Sequence, residues 1–279
     1  MPKKSLRYSC VALVYNSDKP RALPEAQKLK RWLVQQGIRV FIESQVTPAM
    51  KKAQLLIALG GDGTVLGTTR AVANWNVPVL GVNLGHLGFL AATELSAMMR
   101  TLTRVLAGEG RLETRTLLSA TGTINGKRFA SSLALNDAVL RSKATGRVLW
   151  LKAMVRGQVL ASYAGDGLII ATPTGSTAYN LAASGPIIHP DLDVLIMTPI
   201  CPHSLAQRPL VLPAYEAIAV EVLAPSPSAI LSLDGQLNQT MQPGDRVEIC
   251  RAAEQVQLLM DPTRTFYQVL QNKLKWGGS

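Results

Sequence analysis

The sequence is poor in several residue types, and each shortage removes a class of function. Only three of its 279 residues are cysteine: Cys10, Cys201 and Cys250. They are odd in number and lack metal-ligand spacing, so no disulfide framework or thiolate metal site is expected and the thiols read as buried. Aromatics make up 5% of the chain and no basic run alternates with them, which argues against a nucleic-acid partner. No apolar run approaches the length of a membrane span, and the strand behind the basic segment Met1–Arg7 is too short for a signal-peptide core. No membrane partner is expected, and the chain reads as cytoplasmic. The histidines His86, His189 and His203 lack the spacing of a metal site. Acidic residues are few, 18 against 29 Lys and Arg, for a net charge of +11. Such a surface is either simply solvated or draws in polyanions.

What is present suits one large domain or two ordinary ones, with 47% hydrophobic and 17% charged residues. Over residues 1–112, apolar strand patterns (Ser9–Tyr15, Ile38–Ile42, Leu55–Leu59, Val77–Val82) alternate with helical ones (Pro24–Gln36, Thr64–Asn74, Thr93–Leu106). That alternation predicts an α/β domain with a parallel sheet. From 113 to 263 the pattern becomes mainly β: Leu117–Ile124, Phe129–Leu140, Val148–Val155, Val159–Tyr163, Leu168–Ala171, Ala217–Leu223, Ala229–Leu233 and Arg246–Ile249, with one helical patch at Ser176–Ala183. Packed sheets are expected there. Residues 264–279 read as a last helix, striped by Phe266, Val269, Leu270 and Leu274, that packs back on the first domain.

Two glycine-rich strings stand out against this background: Gly60-Gly61-Asp62-Gly63-Thr64, and the run Asp166-Gly167 through Thr174-Gly175-Ser176-Thr177-Ala178-Tyr179. The first follows an apolar strand and precedes a helix. Glycines there permit positive φ and close approach, so backbone N–H groups can face a phosphate, and the helix adds its positive end. One carboxylate, Asp62, sits inside the turn. The chain has no Gly-Xaa4-Gly-Lys-Ser/Thr string, no Gly-Xaa-Gly-Xaa-Xaa-Gly after the first strand and no Gly-Xaa-Ser-Xaa-Gly. The usual P-loop, the ordinary dinucleotide fold of dehydrogenases and the serine-hydrolase elbow are therefore disfavoured.

The first string is similar to a motif shared by kinases that phosphorylate hydroxyl groups on NAD, diacylglycerol or sphingoid bases. Within that superfamily the chain resembles the NAD kinases along most of its length. The resemblance rests on the ordered set of Gly60–Thr64, Asn83–Leu90, Asn136-Asp137, Asp166–Tyr179, Pro199–Leu205 and Arg208–Val211. It implies phosphoryl transfer from ATP, another nucleoside triphosphate or polyphosphate to the 2′-hydroxyl of the adenosine ribose of NAD. Mg²⁺ would accompany the donor, and the chain would form a homo-oligomer, a dimer or tetramer.

Under the resemblance Asp62 is the general base, and Gly60, Gly61, Gly63 and Thr64 line the phosphates. Asn136 and Asp137 bond ribose hydroxyls, and Asp166, Thr177, Ala178, Tyr179, Asn180, Leu181 and Ala182 build the wall for the dinucleotide. Asp62 and Gly63 also touch NAD, and no residue is assigned to a metal. Arg147 meets a phosphate or a neighbouring subunit's ligand, unless it is a solvated arginine at a turn. Gln236 contacts ligand, although hairpin chemistry explains it equally. Two positions depart from the common pattern: Asp137 stands where many relatives carry Glu, and Ser184 where many carry Gly. Two other readings remain open. A lipid kinase of the same superfamily would share the Asp62 turn but has no reason to carry Thr174–Tyr179 and Pro202–Leu205. A silent NAD(P)-binding regulator has no reason to keep Asp62.

Overall fold

The computed structural model describes residues 7–85, 88–144 and 146–276, so His86, expected within the second motif, lies outside the described residues. The chain divides into two compact units, Met1–Thr114 with Val256–Ser279, and Arg115–Gln255.

In the first unit the elements run β1 (Cys10–Tyr15), α1 (Ala22–Gln35), β2 (Arg39–Glu43), β3 (Leu55–Gly60), α2 (Asp62–Ala71), β4 (Val79–Asn83), β5 (Thr93–Glu94) and α3 (Met98–Leu106). Strands β2, β1, β3 and β4 lie side by side in that order, all parallel, and β5 adds parallel to β4. Every residue of β3 is buried, as a parallel strand covered on both faces requires. Helix α1 buries Ala22, Ala26, Leu29 and Leu33 at helical spacing, and Gly37 ends it at φ +81°. The helix expected over Thr93–Leu106 begins only at Met98, because Thr93 and Glu94 pair with β4. From β1 the chain turns to β2 on one side and later to β3 on the other. The carboxyl ends of β1 and β3 are thus a topological switch point, where open α/β sheets bind ligands.

The second unit contains β6 (Arg111–Ile124), β7 (Lys127–Ala134), β8 (Asp137–Ser142), β9 (Leu149–Val155), β10 (Gln158–Gly165), β11 (Gly167–Ala171), α4 (Tyr179–Ala182), β12 (Val194–Ile200), β13 (Leu210–Pro213), β14 (Ile218–Val222), β15 (Ala229–Leu233), β16 (Leu237–Met241) and β17 (Arg246–Met260). The unit boundaries fall inside β6 and β17. Within the unit β10-β9-β14-β17 form one antiparallel array, extended by β6 and β7, and β13-β12-β11-β8-β15-β16 form a second antiparallel sheet. The two arrays share a core. Ala138 and Leu140 of β8, Leu168 and Ile170 of β11, and Leu195 and Met197 of β12 pack with Leu151, Val220, Val247 and Ile249. The residues between them on each strand, Val139, Ile169 and Ile196, point to the other face of the second sheet and form a smaller cluster there.

Phe129–Leu140 reads as one strand in the sequence but is two, one in each array. The Asp234 carboxylate takes the N–H groups of Leu135, Asn136 and Asp137 at 3.0, 2.7 and 3.3 Å, and so removes them from any ladder. Strand β17 runs well past the expected Arg246–Ile249, and β12, β13 and β16 have no counterpart in the sequence reading. The end of β17 returns to the first unit, where Leu258 pairs parallel with Val79, and α5 (Phe266–Leu274) follows. The expected burial of all three thiols does not hold: Cys10 is buried, Cys250 is half-buried and Cys201 is exposed, at a turn where its φ is +44°.

Candidate active site

In the first unit the aligned carboxyl ends of β1, β3 and β4 bring three loops together. Asn16 donates its N–H to Leu59 O at 3.0 Å, Leu84 to Gly60 O at 2.9 Å, and Lys19 reaches Gly60 O with Nζ at 3.2 Å. Asp62 opens α2 directly after this junction. Its Oδ2 accepts the Phe89 N–H at 2.9 Å, while Oδ1 is shielded from solvent and has no hydrogen-bond partner among the described residues. Burial raises the Asp62 carboxyl above its ordinary value. The Phe89 and Leu90 amides and then the Lys273 and Lys19 ammonium groups oppose that rise without cancelling it. Of the two amides only that of Phe89 has full hydrogen-bond geometry. A Cβ on Gly88 would overlap the Asp62 carboxylate, so glycine at that position is a packing requirement.

The glycines of the turn act differently from the expectation. None of Gly60, Gly61 and Gly63 has positive φ; Gly60 supplies room, since a Cβ there would overlap the Thr64 hydroxyl. Thr64 is the third helical residue, and its Oγ1 reaches back to the Gly61 N–H at 3.4 Å.

In the second unit a cavity of about 390 Å³ opens on the outer face of the second sheet. Period-2 geometry puts Asp137, Val139 and Arg141 of β8 on that face, and Ser232 of β15 pairs beside Val139. Asn136, Ala178, Tyr179, Asp234, Gly235 and Asn238 complete the lining. Asp137 is 5% exposed, and its carboxyl is pushed up to about 7, first by burial and then by the Asp234 carboxylate. Thr172 ties the following loop to the same corner, through N–H to Asn136 O at 2.9 Å and Oγ1 to Leu135 O at 2.6 Å. A side chain at Gly175 would overlap the Asn136 carbonyl, which fixes the glycine there.

Two family models match the chain: the ATP-NAD kinase N-terminal domain over residues 46–110 and the ATP-NAD kinase C-terminal domain over 135–260. The NAD kinase of Citrifermentans bemidjiense is 37% identical over 283 aligned positions, covering 96% of this chain and 98% of the relative. That of Moorella thermoacetica is 40% identical, with 96% and 90% covered. The chain belongs to the NAD kinase family. Two solved structures share the NAD kinase fold. Yeast NADH kinase, solved with NADH, has a TM-score of 0.86 at 24% identity, covering 100% of this chain and 93% of its own. The Archaeoglobus fulgidus NAD kinase, solved with ATP, has a TM-score of 0.81 at 22% identity, covering 95% and 98%.

Set against the residues that the NAD kinase resemblance singles out, the second-unit cavity gathers Asn136, Asp137, Ala178 and Tyr179. Thr177 is half-buried with its hydroxyl on Thr174 O at 3.3 Å, while Leu181 is half-buried and Ala182 exposed; none of the three lines the cavity. Asn180 is turned inward and wholly buried. Its Oδ1 accepts from Thr198 Oγ1 at 2.6 Å and its Nδ2 donates to Ser176 O and Pro186 O, each at 3.1 Å, so its side chain holds the loop. Asp166 lies exposed between β10 and β11, where its carboxylate raises the Cys201 thiol above its ordinary value. Arg147 is exposed outside the lining, and Gln236 is exposed on the β15–β16 turn between the lining residues Gly235 and Asn238. Ser184 has φ +63°, which explains why glycine suits that position.

Sequence reasoning did not find Arg141, Ser232, Asp234 and Asn238 in the second unit, nor Lys19 and Lys273 in the first. Only Arg141 had a readable signal, since it follows Asp137 by four residues on a strand.

Proposed function

We propose that the chain transfers a phosphoryl group from ATP, or from another nucleoside triphosphate or polyphosphate, to the 2′-hydroxyl of the adenosine ribose of NAD. The single observation that carries the reading is Asp62: one carboxyl oxygen is anchored on Phe89 N–H, the other is shielded and unpartnered, and burial makes the group more basic. An acceptor hydroxyl placed on Oδ1 would satisfy that oxygen. As the hydroxyl oxygen bonds to the terminal phosphorus, the bond from that phosphorus to the bridging oxygen breaks, ADP leaves, and the hydroxyl proton passes to Asp62. Family membership, a relative solved with NADH and another solved with ATP support both substrates.

The second-unit cavity holds the dinucleotide in this reading. Asn136 and Asp137 bond ribose hydroxyls, and Tyr179, 44% exposed beside them, offers a ring face to the adenine end. Among the described residues no three His, Cys, Asp or Glu side chains come together to hold a metal ion. Mg²⁺ would neutralise phosphate charge when bound with the donor, and Asp62, the carboxylate inside the glycine turn, is the residue that could face it. The enzyme acts in the cytoplasm as a homo-oligomer; among the described residues no helix is long and apolar enough to cross a membrane.

The test is NADP formation from NAD, ATP and Mg²⁺, for the wild type beside Asp62→Asn. Wild-type turnover with a loss of about 10²–10⁴-fold in the variant, at an unchanged melting temperature, is expected. Equal turnover would remove Asp62 as the base, and no NADP with any donor would remove the reaction.

A further inference from the structure

We propose that the cavity walled by α5 in the first unit is a binding site for the donor's phosphate chain, with Lys273 as its principal cation. The inference rests on the phosphotransfer reading above and adds to it the side from which the donor is held. The cavity has a volume of about 330 Å³ and is lined by Gly88, Glu94, Arg264, Val269, Asn272 and Lys273. Gly88 is one wall of it, and the same residue packs so closely on Asp62 that no Cβ fits between them. The cavity is therefore one glycine away from the base.

Its charges are not equivalent. Arg264 is committed: its guanidinium donates to Ala92 O at 3.3 Å, and the Asp261 and Glu94 carboxylates offset its charge. Glu94, the one anion of the lining, is thereby answered by Arg264. Lys273 is exposed and makes no hydrogen bond or ion pair among the described residues, which leaves its ammonium free to take a ligand atom. Its field reaches Asp62 more strongly than that of Lys19, whose Nζ lies at the Gly60 carbonyl. Asn272 adds an amide that can donate to a phosphate oxygen.

The position of Lys273 is built into the fold. Thr265 and Gln268 cap α5 reciprocally, Thr265 N–H to Gln268 Oε1 at 2.9 Å and Gln268 N–H to Thr265 Oγ1 at 3.3 Å. Val269 and Leu270 are buried beneath the helix, which sets its rotation. A compact ammonium ion on a flexible stem can follow a phosphate chain as a point charge.

A basic residue in the last turn of a helix also complements the helix dipole, and the experiment must separate that role from donor binding. Lys273→Gln and Lys273→Arg are compared with the wild type in steady-state NADP formation, and the binding of inorganic tripolyphosphate to the full chain is measured by calorimetry. Expected are a rise of about tenfold in KM for ATP in Lys273→Gln, KM for NAD within twofold, an unchanged melting temperature, and near wild-type behaviour in Lys273→Arg. An unchanged KM for ATP, or a parallel rise in both KM values with a lower melting temperature, would overturn the assignment. If the wild type makes no NADP, the phosphotransfer reading fails on its own. Tripolyphosphate binding then decides the cavity: weakening in Lys273→Gln sustains it, and equal binding to both proteins ends it.

Discussion

Replacing Asp137 by asparagine gives the most direct test of the electrostatics in the second-unit cavity. The side chain is 5% exposed, and its carboxyl is raised from 3.8 to about 7 by burial and by the neighbouring Asp234 carboxylate. Asp234 is pinned beside it by the N–H groups of Leu135, Asn136 and Asp137. Between pH 4 and pH 7 the folded chain keeps a proton that the unfolded chain has released. The native state therefore binds more protons across that window, and this contribution to stability is lost as pH rises through it. A rise from 3.8 to about 7 is worth about 4 kcal/mol over the whole window. Asparagine has the same shape and carries no charge at any of these pH values. Urea unfolding from pH 4 to pH 8 should accordingly show the Asp137→Asn chain matching the wild type near pH 4. It should gain on it by about 4 kcal/mol near pH 8, with most of the change between pH 5 and 7. A constant difference across the range would refute the reasoning, because the carboxyl would then titrate alike in both states.

Two further substitutions probe packing that the chemistry depends on. Gly88→Ala introduces a methyl where the Asp62 carboxylate lies, so that carboxylate must shift; a fall in kcat of at least about 10²-fold in steady-state NADP assays, together with a lowered melting temperature from the overlap, is expected. Asn180→Ala leaves the Thr198 hydroxyl and the Ser176 and Pro186 carbonyls without their partner in the interior. It should cost about 3 kcal/mol in denaturant unfolding, and a cost below about 1 kcal/mol would refute this structural role.

The parallel sheet of the first unit was legible because β3 and β4 are buried on both faces and read as unbroken apolar runs ending at glycine or asparagine. The second unit was legible as β and only partly legible as strands. β12 contains Pro199 and is followed by Pro202, and β16 is Leu-Asn-Gln-Thr-Met, so neither looks like a strand by composition. Their pairing with β11, β13 and β15 overrides that local preference. The break between β7 and β8 had no local signal at all. It comes from Asp234, about a hundred positions away, and only the folded chain brings that carboxylate to Leu135–Asp137. The same long-range contact explains the candidate site. Asn136 and Asp137 could be singled out from the motif, but the residue that shapes their corner was visible only as half of an Asp-Gly turn.

Asp62 shows how opposing local effects settle the character of a carboxyl group. A carboxylate at the first position of a helix is ordinarily stabilised as an anion by the free N–H groups around it, and an anion so stabilised is a weak acceptor of protons. Here Lys19 and Lys273 push in the same direction, as do the Phe89 and Leu90 amides, yet burial outweighs all of them and the carboxyl stays above its ordinary value. The close packing of Gly88 helps to keep that balance, since it closes one side of the carboxylate without adding a polar group. A phosphate chain settling on Lys273 would neutralise one of the opposing cations and bring negative charge near Asp62. Both changes favour the protonated form. If Asp62 is the base and Lys273 holds the donor, as proposed, donor binding by that route would raise the carboxyl's affinity for a proton at the step in which it takes one, and Lys273 would serve the reaction twice, first by holding the donor and then by losing its hold on the carboxylate charge.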